Sequence, residues 1–346
     1  MASDLSQSAP LGNVAYPPPI PVSVIIPVKD EAATIGAVLQ GLLEQTYAPS
    51  EIVITDGGSR DRTCEIIRGF QASSTVPITL IEAGHALPGR GRNLAIAQAR
   101  HDWIATIDGG IRPPPQWLAE LVAASQRHRE AEIVYGVGKP ATDTYFTECA
   151  AITYTPNGGH LSPFIASALM HRSAWAQAGG FREDLRSAED LLFFRAVKAA
   201  GVIEAKCDTA VVTWELQSGL SGTFRRFAVY SRNNLRAGLA RDWQFNVARF
   251  YLLLAVPLIA GLWIWPIALL TPLILLLRTE KRIFIWFRIN SPKRVWRELL
   301  SPSRVFTVTL IHLVIDAATF YGVWQWLNHD RVIRAKYVRD GNHAAE

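Results

Sequence analysis

Cysteine is scarce in this sequence. Three cysteines, Cys64, Cys149 and Cys207, occur among 346 residues, and they are widely spaced and odd in number. This arrangement excludes the paired spacing of a structural zinc site and the framework of a disulfide-rich secreted domain. We therefore expect the protein to work in a reducing compartment.

The N-terminus lacks the features of a secretory signal peptide. Residues 1–21 are rich in serine and proline, and they have neither a basic start nor an apolar core. Because proline-rich segments are extended rather than folded, we expect residues 1–21 to be a lead-in without a fold of its own. The domain that follows is then expected in the cytoplasm.

A net positive charge is missing from the first two thirds of the chain. Residues 1–240 have a net charge of −2, whereas the rest has 14 Lys and Arg against 7 Asp and Glu. A basic excess beside apolar runs indicates an anionic membrane surface rather than nucleic acid. We therefore predict membrane lipids as partners and no nucleic acid.

Long apolar runs begin only near residue 245. Residues 250–277 are almost wholly apolar and contain three prolines, and these 28 residues exceed one span of roughly 20 but fall short of two. Residues 278–304 mix eight Lys and Arg with aliphatic and aromatic residues, which is typical of a segment lying on anionic lipid. A second apolar run at 305–327 precedes a polar tail at 328–346.

These patterns predict three membrane elements in the cell (inner or plasma) membrane, with a multi-pass arrangement. Residues 245–277 form a proline-broken hairpin or one long span, 278–304 an interfacial segment, and 305–327 a transmembrane helix. Basic residues favour the cytoplasmic side, yet no simple topology puts both the 278–304 loop and the tail there. The hairpin is favoured because the loop is more basic than the tail, and a re-entrant or in-plane arrangement stays open.

Strands and helices alternate before residue 240. Segments with apolar residues at helical spacing separate apolar runs typical of buried strands, at residues 22–28, 51–55, 78–81 and 103–107. This alternation predicts an α/β domain with a mostly parallel sheet. Acidic or glycine-rich turns follow the first, second and fourth runs. Right-handed crossovers bring such turns to one edge of the sheet, where ligands bind.

Five short motifs follow one another in this domain, at residues 24–31, 53–63, 91–93, 107–110 and 179–190. In this order they resemble the motifs of family-2 glycosyltransferases, which are nucleotide-sugar enzymes of the GT-A fold. The resemblance covers about residues 22–240. It implies a Rossmann-like GT-A catalytic domain over those residues and a nucleoside-diphosphate sugar as donor.

On the donor side, the resemblance assigns nucleotide-sugar contacts to Pro27, Asp30, Glu31, Asp56 and Arg92. Asp56 can accept the imide N–H of uracil or a similar base. The forked guanidinium of Arg92 can reach a phosphate from the start of a helix. A turn aspartate, a helix-start carboxylate and a solvated arginine would give the same pattern, so these alternatives stay open.

The resemblance also implies a divalent cation, Mg²⁺ or Mn²⁺, held by Asp108. Such a cation neutralises a diphosphate leaving group, and hard oxygen ligands suit it. The family usually has Asp-x-Asp at this point, whereas this chain has Asp108, Gly109 and Gly110. Either Asp108 suffices together with waters and phosphates, or metal binding is weakened.

Glu189 and Asp190 are the expected catalytic pair. In inverting enzymes of the family, the aspartate of such a pair deprotonates the acceptor hydroxyl. Asp190 is therefore the expected base, and Glu189 orients it or binds the acceptor. An acidic pair that only stabilises the start of a helix is the alternative.

Arg225 and Arg226 are candidates for acceptor or phosphate contacts. With Gln217 they loosely resemble the Gln-x-x-Arg-Trp region of processive relatives, although Gln217 and Arg225 are too far apart for that motif. They are equally compatible with cytoplasmic charges that precede a membrane segment.

The sequence therefore predicts inverting transfer of a sugar to a lipid-linked or polysaccharide acceptor at the cytoplasmic membrane face. The alternative within the same class of enzyme is a polyprenyl-phosphate sugar synthase, in which the acceptor is a polyprenyl phosphate. A nucleotidyltransferase is disfavoured because residues 27–31 are acidic rather than glycine-rich and basic. A non-catalytic membrane scaffold has only the missing second aspartate in its favour.

Overall fold

The computed structural model describes residues 20–155 and 158–330. Most of the predicted lead-in and of the polar tail lies outside these residues. The described part contains a seven-stranded sheet in the order β3-β2-β1-β4-β6-β5-β7. The strands are β1 (Val22–Val28), β2 (Glu51–Asp56), β3 (Ile78–Glu82), β4 (Trp103–Thr106), β5 (Ile133–Pro140), β6 (Ala168–His171) and β7 (Glu204–Trp214).

Helices cover both faces of this sheet and continue beyond it. Those of the α/β domain are α1 (Ile35–Leu43), α2 (Thr63–Ser73), α3 (Pro88–Gln98), α4 (Trp117–Arg127), α5 (Tyr145–Tyr154), α6 (Arg172–Gln177), α7 (Glu189–Ala199) and α8 (Leu220–Arg236). The C-terminal helices are α9 (Gln244–Ala260), α10 (Leu270–Asn290), α11 (Val295–Leu299) and α12 (Pro302–Gln325).

The central strands are parallel and buried on both faces, as the apolar runs predict. In β1, Ile25 lies opposite Val53 of β2 on one side and Thr106 of β4 on the other. Alternate residues of a strand face opposite sides. Accordingly, Val24 and Ile26 pack with α1, α2 and α4, whereas Ile25 packs with α3 and α7. The expectation of a mostly parallel sheet flanked by helices is confirmed.

Two strands lack a clear signal in the sequence. The four-residue β6 lies antiparallel to β4 and β5. The strand β7 begins at Glu204, and its first half is an edge strand with exposed polar side chains. Such a strand shows no continuous apolar run in the sequence.

The C-terminal helices pack onto the α/β domain through α12, which contacts α5 and α8. An apolar cluster joins Ile152 of α5, Phe287 of α10 and Ile311 of α12. Arg304, which is only 3% exposed, pairs with Glu148 of α5 at 2.6 Å and with Glu298 at 3.0 Å. The last helices and the α/β domain are therefore joined by apolar packing and buried ion pairs.

The predicted boundary between residues 277 and 278 falls inside a helix. Residues 245–277 fold as α9, a short 3₁₀ helix at Trp265–Leu269 and the start of α10. The helix α10 then continues to Asn290. Arg278 does not end the apolar helix because Asp316 of α12 pairs with its guanidinium at 2.5 and 3.0 Å. A charge with such a partner can remain inside a helical bundle.

Among the described residues, one helical stretch is long and apolar enough to cross a membrane. It runs from Pro302 to Asp330 and includes the predicted span at 305–327. Within its most apolar window, 44% of the residues are buried against the rest of the protein. The helix α9 is apolar but shorter.

Candidate active site

A cleft of about 880 Å³ opens at the carboxyl ends of β1, β2 and β4. Parallel α/β sheets bind ligands at this edge. The cleft brings together eight of the ten predicted site residues, which are Pro27, Glu31, Arg92, Asp108, Glu189, Asp190, Arg225 and Arg226. Residues separated by up to 199 positions in the sequence thus share one cavity.

Asp30 and Asp56 do not line this cleft. Their carboxylates accept hydrogen bonds from backbone N–H groups of the turn after β2. Asp56 is 4% exposed, and its carboxylate accepts hydrogen bonds from the N–H groups of Gly58 and Ser59 at 3.0 Å. Asp30 has a φ of 55°, and its Oδ1 accepts from the N–H of Arg60 at 2.8 Å. The two residues join the turns after β1 and β2, and their contact with a nucleotide stays a prediction.

Arg92 lies at the floor of the cleft and is almost fully buried. Its Nη1 donates to Glu189 at 2.7 Å and its Nη2 to Asp108 at 2.8 Å, and the residue is only 3% exposed. Burial alone would lower the pKa of Arg92, but the charges of Asp108 and Glu189 raise it. Arg92 is therefore a permanent cation between two acids in a buried ion triad, and its contact with a phosphate stays a prediction.

Close backbone packing positions this arginine. Arg92 belongs to the first turn and a half of α3, and Gly89 precedes it on the same helix. A Cβ at Gly89 would lie 2.0 Å from the carbonyl oxygen of Arg182, so only glycine fits. This contact brings α3 beside the loop that leads to α7, which explains how Arg92 meets Glu189 across 97 residues.

Glu189 and Asp190 form the start of α7. The residue before them, Ala188, has a φ of 71°, a left-handed conformation that costs a non-glycine residue of order 1 kcal/mol or more. Glu189 is 5% exposed, and its Oε2 is buried without a hydrogen-bond partner. Strain and an unpaired polar atom together are common at functional sites.

The carboxyl of Asp190 has the electrostatics of a general base. Burial raises its pKa, the neighbouring charge of Glu189 raises it further, and Arg92 partly opposes them, giving a pKa of about 6. Its Oδ1 accepts a hydrogen bond from the N–H of Leu191 at 2.8 Å. A carboxylate with a pKa near neutrality holds a proton more strongly than an ordinary aspartate, as general-base catalysis requires.

Asp108 faces the cleft from the turn after β4. Its Oδ1 is bound to Arg92, while the side chain as a whole is 41% exposed. Gly109 lets this turn pack on β1, because a Cβ there would lie 2.9 Å from Val28 Cγ1. Within residues 20–155 and 158–330, no three His, Cys, Asp or Glu side chains are grouped to hold a metal.

The sequence prediction missed the aromatic wall of the cleft. Tyr154 of α5 and Phe227 of α8 stack edge to face at 4.7 Å, and Trp214, Tyr230 and Trp243 also line the cavity. These residues come from separate elements of the chain. The only signal in the sequence was the density of aromatic residues around residues 223–239.

Arg225 and Arg226 belong to this same side of the cleft. The Nη1 of Arg226 donates to the carbonyl of Glu215 at 3.1 Å. With the amide of Gln217 oriented to satisfy both partners, its oxygen accepts from Arg226 Nη2 at 2.7 Å. The link between Gln217 and this arginine pair is therefore spatial, although their spacing does not match the family motif.

Residues 23–173 match the model of glycosyl transferase family 2. The chain carries a family 2 glycosyltransferase domain. The matched residues include Asp56, Arg92 and Asp108, and they end before Glu189 and Asp190. The family resemblance expected from the five motifs is therefore confirmed.

Curated relatives of this glycosyltransferase domain are themselves named glycosyltransferases. Glycosyltransferase AglE of Haloferax volcanii is 39% identical over 104 residues, which are 30% of this chain and 34% of that protein. The poly(ribitol-phosphate) β-N-acetylglucosaminyltransferase TarS of Staphylococcus aureus is 25% identical over 179 residues, 49% of this chain and 31% of that protein. The chain thus spans about a third of the length of these two relatives.

A solved structure shares the fold of the glycosyltransferase domain and much of the chain beyond it. The mannosyltransferase PcManGT of Pyrobaculum calidifontis, in complex with GDP-mannose and Mn²⁺, has a TM-score of 0.53 at 20% identity. The likeness covers 89% of this chain and 87% of that one. The GT-A fold implied by the motifs is confirmed.

Proposed function

We propose that this protein is an inverting glycosyltransferase that moves a sugar from a nucleoside-diphosphate sugar to an acceptor hydroxyl. The observation that carries the proposal is the position of Asp190. A carboxyl with a pKa of about 6 shares a cleft with Asp108 at the carboxyl edge of a GT-A sheet. The family match and the names of the relatives support the same chemistry.

Asp190 acts as the base in this mechanism. It takes the proton of the acceptor hydroxyl as the oxygen forms a bond to the anomeric carbon. The bond between that carbon and the diphosphate oxygen breaks on the opposite face, and the nucleoside diphosphate leaves with the electron pair. The negative charge of Glu189 beside Asp190 keeps the proton affinity of the base high.

The residues at Asp108 fit a divalent cation. A partly exposed carboxylate provides a hard oxygen donor, and donor phosphates and waters complete the shell that Mg²⁺ and Mn²⁺ prefer. When bound, the cation would neutralise charge on the leaving diphosphate. The structure of PcManGT with GDP-mannose and Mn²⁺ supports this part of the proposal by analogy.

The donor occupies the side of the cleft formed by the turns after β1, β2 and β4. Pro27 and Glu31 line it directly, and Asp30 and Asp56 hold its walls. The base of the nucleotide then sits near the turn at Asp56. The similar PcManGT is solved with GDP-mannose, and an aspartate can accept from the N–H groups of both uracil and guanine, so nucleotides of both bases belong in a test.

The acceptor is lipid-linked or a membrane-associated glycan, and the C-terminal helices hold the enzyme at the membrane. The turn between α9 and α10 exposes Leu262, Trp263 and Trp265, which are 72–80% accessible. Exposed Lys281 and Arg288 follow on α10. Apolar side chains flanked by basic ones suit the surface of an anionic bilayer, so we propose that this turn inserts into the cytoplasmic leaflet.

A polyprenyl-phosphate sugar synthase is the second candidate. Arg225 and Arg226 line the acceptor side of the cleft, where they can bind the phosphate of a lipid acceptor. A nucleotidyltransferase gains no support, since the turn after β1 has Asp30 and Glu31 in place of a basic phosphate loop. A scaffold without activity does not account for the strained backbone of Ala188 or for the buried, unpaired Oε2 of Glu189.

The test uses the full chain in lipid vesicles with Mn²⁺. Titration calorimetry with UDP and GDP measures nucleotide binding, and a panel of labelled nucleotide sugars with polyprenyl-phosphate and lipid-linked oligosaccharide acceptors measures transfer. We expect one nucleotide to bind and one labelled sugar to enter the lipid fraction with inverted anomeric configuration. A folded protein that binds neither nucleotide would overturn the proposal.

A further inference from the structure

The side chain of Glu31 covers the place where this chain lacks a second aspartate. A Cβ at Gly110 would lie 3.7 and 4.0 Å from the two carboxylate oxygens of Glu31. A Cβ at Gly109 would lie 3.3 Å from Glu31 Cγ. The glutamate thus extends along the glycine turn, and its carboxylate lies in van der Waals contact with the position of a Cβ at residue 110.

Glu31 is oriented by bonds on both sides of its Cα. Its N–H donates to Thr63 Oγ1 at 2.8 Å, and its carbonyl accepts from the N–H of Ile35 at 2.9 Å. Its Oε2 accepts from Thr34 Oγ1 at 2.6 Å. These bonds hold the carboxylate toward the cleft and leave Oε1 available to a ligand.

Two carboxylates therefore face the same cavity from neighbouring turns. Asp108 and Glu31 both line the cleft, and Arg92 neutralises Asp108 from below through Oδ1 only. In the part of the chain that the structure describes, the carboxylate of Glu31 bonds a neutral hydroxyl and forms no ion pair. Arg92 is shared between Asp108 and Glu189 and does not pair with Glu31, so negative charge remains at these turns for a divalent cation.

We propose that Glu31 supplies the second protein carboxylate of the divalent-cation site and replaces the side chain that Gly110 lacks. The inference rests on the proposed function, because the remaining ligands are the phosphates of the donor and water. Mg²⁺ and Mn²⁺ are commonly bound through one or two carboxylates together with substrate phosphates. The second acid thus comes from the turn after β1 instead of the turn after β4.

Four proteins test the proposal: the wild type, Glu31→Gln, Gly110→Asp and the double variant. The aspartate is compatible with position 110, because its Cβ meets only the Glu31 carboxylate, at ordinary contact distance. Mn²⁺ binding in the presence of UDP or GDP is measured from the loss of the free-ion electron paramagnetic resonance signal. Nucleotide affinity is measured by calorimetry with and without Mn²⁺.

We expect Glu31→Gln to weaken Mn²⁺ binding at saturating nucleotide at least tenfold, because one of the two protein carboxylates is lost. The double variant should recover most of the lost Mn²⁺ affinity, because the introduced aspartate restores a carboxylate at the same place. Glu130→Gln, which removes an exposed carboxylate outside the cleft, is the matched control and should bind Mn²⁺ like the wild type.

Each failure has a different signature. A wild type that binds no nucleotide overturns the proposed function. A wild type that binds nucleotide with Mn²⁺, together with a Glu31→Gln variant of equal Mn²⁺ affinity, overturns only the role of Glu31. A double variant as weak as Glu31→Gln also overturns it, because the missing carboxylate would then not be the cause.

Discussion

The two walls of the cleft are held in different ways. The donor wall consists of turns that leave the buried parallel strands β1, β2 and β4, and its residues lie within the family match. The opposite wall combines α5, α7 and α8, which are fixed by helix packing and by ion pairs with the C-terminal helices. Hydrogen bonds between parallel strands define the first wall, whereas packing and ion pairs between helices define the second.

This difference decides what the sequence could predict. Apolar runs identified β1, β2 and β4, and therefore the edge where Asp108 and Glu31 lie. The bond from Arg92 to Glu189 spans 97 residues and depends on the close contact of Gly89 with Arg182, which no local pattern reveals. The continuation of α10 past Arg278 could not be predicted either, because Asp316, which pairs with Arg278, is 38 residues away in the sequence.

A substitution in the acid pair at the start of α7 tests the chemistry of the second wall. It is expected to have the largest effect, on the rate of sugar transfer. Asp190→Asn removes the proposed base but keeps its size, so transfer should fall about 100- to 10,000-fold. Nucleotide binding should stay within a factor of about two of the wild type, because the donor wall is untouched. Single-turnover assays and calorimetry measure the two quantities. Retained turnover would exclude Asp190 as the base.

Arg92 joins the two walls, and its removal should destabilise both. Arg92→Leu leaves Glu189, which is 5% exposed, without its cation, and breaking a buried pair costs about 3–5 kcal/mol. Urea unfolding of the variant measures the loss in the free energy of unfolding. Arg62→Ala, which breaks an exposed pair with Glu65, should leave that free energy unchanged. Equal stability of the two variants would contradict the buried triad.

The raised pKa of Asp190 predicts a pH dependence. The carboxyl is protonated below its pKa of about 6 and cannot accept the hydroxyl proton there. The value of kcat/KM should therefore fall about tenfold per pH unit below pH 6 and level off above it. Steady-state rates between about pH 4.5 and 8 measure this profile, with nucleotide binding over the same range as control. A profile that is flat from about pH 5 to 7 would contradict the assignment.

The smallest expected effect concerns the membrane turn. The double variant Trp263→Asp and Trp265→Asp replaces two exposed indoles and should weaken binding to phosphatidylglycerol vesicles roughly tenfold. Ile203→Asp changes an exposed apolar residue of the α/β domain and serves as control. Cosedimentation with vesicles measures both. Equal binding of the two variants would place the membrane contact on another surface.

Arg92 has one further consequence. Arg92 forms ion pairs with both Asp108 and Glu189, so the proton affinities of the two acids are coupled. A ligand that binds one acid weakens its ion pair with Arg92 and thereby changes the interaction of Arg92 with the other acid. Asp108 lies on the proposed donor side, and Glu189 adjoins Asp190, the proposed base. Binding of a ligand at Asp108 is thus thermodynamically linked to the proton affinity of the acids at the start of α7. The two binding events affect each other by the same free energy.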